Sequence, residues 1–331
     1  GQVSNSSIAM LTSLDEGLEL VTEIDATTGS VDDDGVGGLP KLTSLRQLRL
    51  EGTKVSDKGC QAIGQVAGLE ELTLTGGYIS DVGMEFLKDL TQLKKLKLAG
   101  TQLSLHGWEI IGGLPMLEEI IVYESSINDD SMDALCQAAM LHKVNIHSTK
   151  VTDEGLSHLG KLEKLVSLDI GKCPVTCSKL SALIKNKNKS KLTYLSVYAT
   201  NLNDKGVAAI AGLDSLEYLN IGYLQGMNDA YFGKLVGGKK KLRVLDFPHN
   251  PTLTNAALSY LKSFKELELL DISYNNAIND QGLTHLTKLK NLKQLNYGHA
   301  GVTAVGIEML RKHIPQLNQP GDAVTANVNE K

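Results

Sequence analysis

The stretch Leu45-Arg-Gln-Leu48-Arg-Leu50 decides the fold, because the same phrase returns at Leu69, Leu72 and Leu74 and again at Leu93, Leu96 and Leu98. Taking the first apolar residue of each phrase as position one gives twelve anchors: Val21, Leu45, Leu69, Leu93, Leu117, Leu141, Leu165, Leu192, Leu216, Leu242, Leu267 and Leu292. The spacing is 24 residues from Val21 to Leu165, then 27, 24, 26, 25 and 25. Chance alternation of leucines loses register within two or three periods, so twelve matches mark a solenoid of repeated supersecondary units.

Each period has two halves. In the first, apolar residues at positions four and six alternate with polar ones, the pattern of a short strand with one buried face. In the second, Asp153-Glu-Gly-Leu156-Ser-His-Leu159 and Asp280-Gln-Gly-Leu283-Thr-His-Leu286 space leucines three apart, as on an amphipathic helical turn. Ser56, Thr152, Thr176, Thr254, Thr303, Asn128, Asn203, Asn228 and Asn279 precede that turn and are predicted N-caps; the acidic residues that follow suit the positive helix end. One such unit cannot bury its own apolar stripe, so the units must stack, with strands pairing in parallel about 4.7–4.9 Å apart. The expectation is an α/β solenoid: a horseshoe with a parallel sheet on its concave face and short helices on its convex face.

The chain resembles the leucine-rich repeat family from Val21 to about Leu317. The phrase Gly52-Thr53-Lys-Val55-Ser56-Asp57-Lys-Gly59 and its relatives look like a bacterial subtype related to the cysteine-containing class. One departure is that position nine, commonly Asn or Cys in the family, here holds Thr53, Thr101, Thr149 and Thr200, with Cys173, Asn250 and Asn275 in the minority. A threonine hydroxyl there is expected to bridge neighbouring backbone loops. The resemblance implies a non-enzymatic binding scaffold. It also implies a bacterial or intracellular origin, since the cysteine-rich caps of extracellular eukaryotic members are missing.

Residues 1–20 are expected to cover the open end of the first repeat, residues 21–317 to form one elongated domain, and residues 318–331, which lack periodicity, to be a disordered tail. A chain starting at Gly1 leaves any signal peptide out of view, and the expected location leans to a secreted or cell-surface bacterial protein. The net charge of −5 argues against a general nucleic-acid binder. No apolar run approaches the ~18 residues of a membrane span. Cys60 and Cys136 read as buried small hydrophobes. Cys173 and Cys177 lack further ligands nearby, so neither a metal nor a cofactor is expected.

Function is expected where polar positions of successive strands align into columns. Position five runs Asn220, Asp246, Asp271, Asn296; position seven runs Gly222, Pro248, Ser273, Gly298; position eight runs Tyr223, His249, Tyr274, His299. Tyr194, Tyr198 and Tyr218 add aromatic surface upstream, and apolar Ile121, Val244 and Leu269 lie on the same face. Asp at position five and Tyr at position eight are also ordinary filling in this family. Five gathered tyrosines are nonetheless the residue type that anchors interfaces. The leading expectation is a protein or peptide partner held by Tyr194, Tyr198, Tyr218, Tyr223 and Tyr274, with Asp246 and Asp271 meeting basic groups. The alternatives are a glycan or small molecule on which Tyr and His stack, with Asn220, Asp246, Asp271 and Asn296 accepting hydroxyl protons, and the substrate arm of a larger effector.

No Ser or Cys pairs recognisably with a His and a carboxylate, so no catalytic residue is expected. His249 and His299 lie two repeats apart, too far for easy sharing of one ion. His158 and His285 are expected to be solvated, and His147 to be concave but isolated among Lys143 and Asn145. The runs Lys185–Lys191 and Lys239-Lys240-Lys241 are weighed as a basic rim and as solvated loops, the second being favoured. Asn5 and Asn188 match the glycosylation acceptor pattern.

Overall fold

The structure, a computed structural model, describes residues 3–14, 16–75, 78–185 and 191–317, with Lys185 described in its backbone alone. The tail 318–331, Asn188 and most of the 185–191 lysine run lie outside the described residues. The chain divides into two compact units, residues 1–191 and 192–331.

In the first unit the strands β1 (Glu23–Asp25), β2 (Gln47–Glu51), β3 (Glu71–Thr75), β4 (Lys95–Ala99), β5 (Glu119–Ile121), β6 (Lys143–Asn145) and β7 (Ser167–Asp169) pair in sequence order, all parallel. In the second, β8 (Tyr194–Ser196), β9 (Tyr218–Asn220), β10 (Val244–Asp246), β11 (Leu269–Asp271) and β12 (Gln294–Asn296) do the same. The register matches like with like: Leu48 faces Leu72 and Asp246 faces Asp271, so each repeat position becomes a column across the sheet. Leucines at positions one, four and six form the core; Leu45, Leu48, Leu50, Leu242, Leu245 and Leu270 are fully buried. Each contributes ~2 kcal/mol relative to an exposed side chain.

The predicted caps hold at every position but Thr176. Ser56, for instance, accepts from the Lys58 amide and Asn279 from the Gln281 amide. After Thr176 the chain turns at Cys177, whose φ is 64°, and a 3₁₀ turn over Ser178–Ser181 follows. Most of the acids that follow a cap do more than suit the helix end. Asp33 accepts from the backbone and hydroxyl of Ser56, at 2.7 and 2.6 Å, and from the Gly59 amide at 3.0 Å, one repeat further on. Asp57 does the same to Ser80, Asp129 to Thr152, Asp153 to Thr176, Asp229 to Thr254 and Asp280 to Thr303. The glycine of the Asp-x-Gly phrase makes room for this strut: a Cβ on Gly59 would sit 2.6 Å from an Asp33 oxygen. The recurring phrase is therefore an instruction for joining repeats.

Position nine corrects an expectation. Thr53 and Thr149 donate to the carbonyl three residues back in their own repeats, Leu50 and Ile146. Backbone bridging to the preceding repeat comes from Cys173, whose thiol donates to Ile146 at 3.1 Å, from Asn250, whose amide reaches both Phe247 and Ile221, and from Asn275, which reaches Ile272 and Phe247. The two N–H donors of asparagine let it serve its own repeat and the one before together.

Candidate functional site

In the second unit, β8 and β9 project Tyr194 and Tyr218 from position three, and their rings stack at 4.2 Å between centroids with 8° between planes. The next side chains along the same face are those of position five: Asn220, Asp246, Asp271 and Asn296, all half-buried. Where the strand ends, a second aromatic column begins. Tyr198 lies 5.9 Å from Tyr223, Tyr223 lies 5.2 Å from His249, His249 stacks on Tyr274 at 3.9 Å, and Tyr274 stacks on His299 at 4.5 Å. Five rings from five successive repeats thus form one ladder.

The backbone beneath this ladder is strained. Position eight takes the left-handed conformation, with φ of 58° at Tyr223, 56° at His249, 59° at Tyr274 and 58° at His299. That region disfavours a residue with a Cβ by roughly 1–2 kcal/mol, and the equivalent turn in β2 and β4 uses Gly52 and Gly100, at φ of 73° and 69°. Thr28, Glu124, Ser148, Lys172 and Ala199 take the same conformation at this position, so the turn belongs to the repeat, and in the second unit it carries large rings.

The acids differ from one another for a local reason. An Asp or Asn at position five normally accepts from the backbone amide two residues on: Asp25 from Thr27 at 2.9 Å, Asp169 from Gly171 at 2.9 Å, Asn220 from Gly222 at 3.0 Å and Asp271 from Ser273 at 2.8 Å. Asp246 cannot, because the residue two on is Pro248, which has no N–H. Its Oδ2 accepts instead from the Tyr218 hydroxyl at 2.8 Å. Burial, only partly offset by that hydroxyl, with Asp271 adding repulsion, pushes its carboxyl up to about 7. Burial and the neighbouring Asp246 also raise the Tyr218 phenol well above its usual value.

Beyond the ladder an open groove of about 520 Å³ runs between the rings of Tyr223, His249 and Tyr274 and the loops carrying Gln225, Pro251, Thr252 and Asn276. Tyr274 has a ring stacked on each side, so both its faces are covered while the side chain stays 43% exposed. Its edge and hydroxyl are what it offers. This removes Tyr274 as a platform on which a sugar ring could stack.

These columns belong to a recognised architecture. A leucine-rich repeat profile matches residues 41–64 and 267–286. An internalin, InlF, from Listeria monocytogenes superposes with a TM-score of 0.66 at 19% identity, over 95% of this chain and 93% of that one. The chain folds as a leucine-rich repeat solenoid. A leucine-rich repeat protein of Leptospira interrogans aligns with a TM-score of 0.57 at 16% identity, over 91% of this chain and 84% of that one. The ectodomain of a plant membrane receptor kinase from Arabidopsis thaliana, solved in complex with Casparian Strip Integrity Factor 2, gives 0.53 at 18% identity, over 89% of this chain and 38% of that one. No curated protein sequence matches the chain.

Elsewhere in the repeats several readings change. Leu269 is only 9% exposed and offers no apolar anchor, whereas Ile121 and Val244 stay half-exposed. Lys239 is fully buried rather than part of a rim: its ammonium donates to the carbonyls of Ala211 and Leu213, both at 3.1 Å, and burial brings its pKa down to about 8. His147 is not isolated, since its Nδ1 lies 3.6 Å from Asp169. His158 pairs with Asp133 at 2.8 Å, and His285 is half-buried, with its pKa lowered by burial and by Lys262. The Asn5 amide is occupied, donating to Asp32 and accepting from its backbone, which makes it a poor glycan acceptor. All four cysteines are buried; burial raises the Cys60 and Cys136 thiols to about 12. Among the described residues no group of His, Cys, Asp and Glu could hold a metal ion, and no helix is long and apolar enough to cross a membrane.

Two features of this face escaped the sequence: the mutual stacking of position eight and the consequence of Pro248. The second was legible as the single proline in a column of residues that donate an amide.

Proposed function

We propose that this protein binds a protein or peptide on the sheet face of its second unit, with Tyr194, Tyr198, Tyr218, Tyr223 and Tyr274 as the anchoring side chains. Leucine-rich repeat proteins are generally non-enzymatic binding scaffolds, and the fold is typical of protein binding. The observation that carries the reading is the five-ring ladder, four of whose rings stand on the position-eight turn and the fifth, Tyr198, just before it. Rings locked against one another lose little freedom on binding, which lowers the entropic cost of association. Their exposed edges and hydroxyls can meet both apolar side chains and peptide groups. A stacking glycan fits less well, because the interior ring faces are covered.

The test is capture of a partner by the immobilised chain, followed by affinity measurement with Tyr198→Ala/Tyr223→Ala. The double variant is expected to bind at least tenfold more weakly with its melting temperature nearly unchanged. Equal affinity in the two proteins would remove the proposal.

A further inference from the structure

Positions three, five and seven of the second unit's sheet face carry two carboxylates, Asp246 and Asp271, and no lysine or arginine. The first unit shows what such a face looks like when its charges are satisfied from within. There Arg49 pairs with Glu23 and lies 3.7 Å from Asp25, Lys95 lies 3.1 Å from Glu71, Lys97 lies 2.8 Å from Glu51, and Lys143 lies 2.8 Å from Glu119. Asp169 has the His147 imidazole beside it. Every acid of that face has an internal basic neighbour. Neither Asp246 nor Asp271 has an ion-pair partner among the described residues.

The two unpaired acids are neighbours in register, one strand apart. Asp271 spends Oδ1 on the amide and hydroxyl of Ser273, and its Oδ2 receives only a long 3.5 Å contact from Asn296. Asp246 has lost its backbone donor to Pro248 and holds one hydrogen bond from Tyr218. Both therefore keep acceptor capacity on a half-buried face, where Asp246 touches the hydroxyl of Tyr218, itself stacked on Tyr194. A planar cation suits this setting: guanidinium can bond two carboxylates at once and lie against an aromatic ring.

Resting on the reading that this face is the binding surface, we propose that the partner is a basic peptide segment that places an arginine side chain against Asp246 and Asp271, flanked by Tyr218. The complementarity of charge selects the partner: an acidic segment would meet two carboxylates and no cation, and would be repelled.

The experiment measures binding of acetyl-hexaarginine amide, and of the same peptide with citrulline at every position, to the full chain at physiological salt. Citrulline keeps the shape and removes the charge. The arginine peptide is expected to bind at least tenfold more tightly, and Asp246→Asn/Asp271→Asn is expected to abolish that preference. Glu71→Gln/Glu119→Gln, which removes equal charge from the first unit, should preserve it. The inference is overturned by absence of binding, by equal binding of both peptides, by a preference that survives the aspartate changes, or by one lost equally in the glutamate variant. Partner binding lost in Tyr198→Ala/Tyr223→Ala without any arginine preference would keep the surface and overturn the cation alone.

Discussion

The two units are built from one repeat and spend their sheet faces differently. In the first, acids and bases alternate from strand to strand and pair with one another, from Arg49 with Glu23 to Lys143 with Glu119. Its strand-ending turns use Gly52 and Gly100 in two repeats and Thr28, Glu124, Ser148 and Lys172 in others, all at positive φ and none aromatic. In the second, the turns carry Tyr223, His249, Tyr274 and His299 at the same φ, and the acids of the face have no base. Glycine relieves the turn only at Gly52 and Gly100, so the units differ less in strain than in what they present: charges paired within the face in the first, and rings beside unpaired carboxylates in the second, the arrangement on which the proposed binding surface rests.

The comparison breaks most visibly in binding. Removing the charged lattice of the first unit with Arg49→Ala/Lys97→Ala should leave partner affinity within twofold, whereas Tyr198→Ala/Tyr223→Ala should lower it tenfold or more, about 1.4 kcal/mol. Surface plasmon resonance on the captured partner reads both. Similar losses in the two variants would mean that the faces do not differ in role.

A second test concerns one repeat position in two settings. Asp25 and Asp246 both occupy position five, yet the Thr27 amide holds Asp25 below its usual value while burial pushes Asp246 up to about 7. The signs of their pH dependence are therefore opposite. Asp25 contributes stability above the unfolded value of 3.8, and this is lost as pH falls through its lower folded value. The folded state binds more protons at Asp246 than the unfolded state does between 3.8 and about 7, so its ionisation erodes stability as pH rises through that window. Asp246→Asn should accordingly stabilise the chain at pH 8 and not at pH 4, by on the order of 1 kcal/mol after allowance for solvent screening. Asp25→Asn should do the reverse, with a smaller effect. Pro248→Ala sharpens the point by restoring an N–H two residues after Asp246. The carboxyl should then titrate lower in a side-chain NMR experiment, and an unmoved titration would show that burial alone sets its value.

How much of this was legible follows from what the repeat encodes. Leucines at positions one, four and six fix strand, register and core, because burial acts on side-chain identity and spacing. The columns of position five and position eight were readable for the same reason, and Tyr223, His249, Tyr274 and His299 do adjoin one another. The stacking among them was not readable, since ring orientation depends on the backbone turn at φ near 57° and on the distance to the next coil. Nor was the fate of Lys239, read as part of an exposed lysine run although its stem is buried and its ammonium bonds to the carbonyls of Ala211 and Leu213. A polar sequence over three residues does not say which of them turns inward. Likewise the acids that follow many of the helix caps fit the helix end by sequence, and only the structure shows them reaching across to the cap of the next repeat, as Asp57 does to Ser80.

The smallest expected effect tests whether strain at position eight serves recognition. His299 is the exposed end of the ladder, with a ring neighbour on one side only, Tyr274 at 4.5 Å. His299→Gly removes the penalty of a Cβ at φ 58°, roughly 1 kcal/mol, and gives up one stacking contact of ~0.5 kcal/mol or more. The net change should be a gain of a few tenths of a kcal/mol in chemical denaturation, accompanied by weaker partner binding. The mirror experiment, Gly100→Ala in the first unit at φ 69°, meets no neighbouring atom within 4 Å and so isolates the backbone penalty, an expected loss of roughly 1 kcal/mol. A loss of stability in His299→Gly matching that of Gly100→Ala would mean that the stacked rings more than repay their turn, and that the ladder is there to hold the solenoid together rather than to meet a partner.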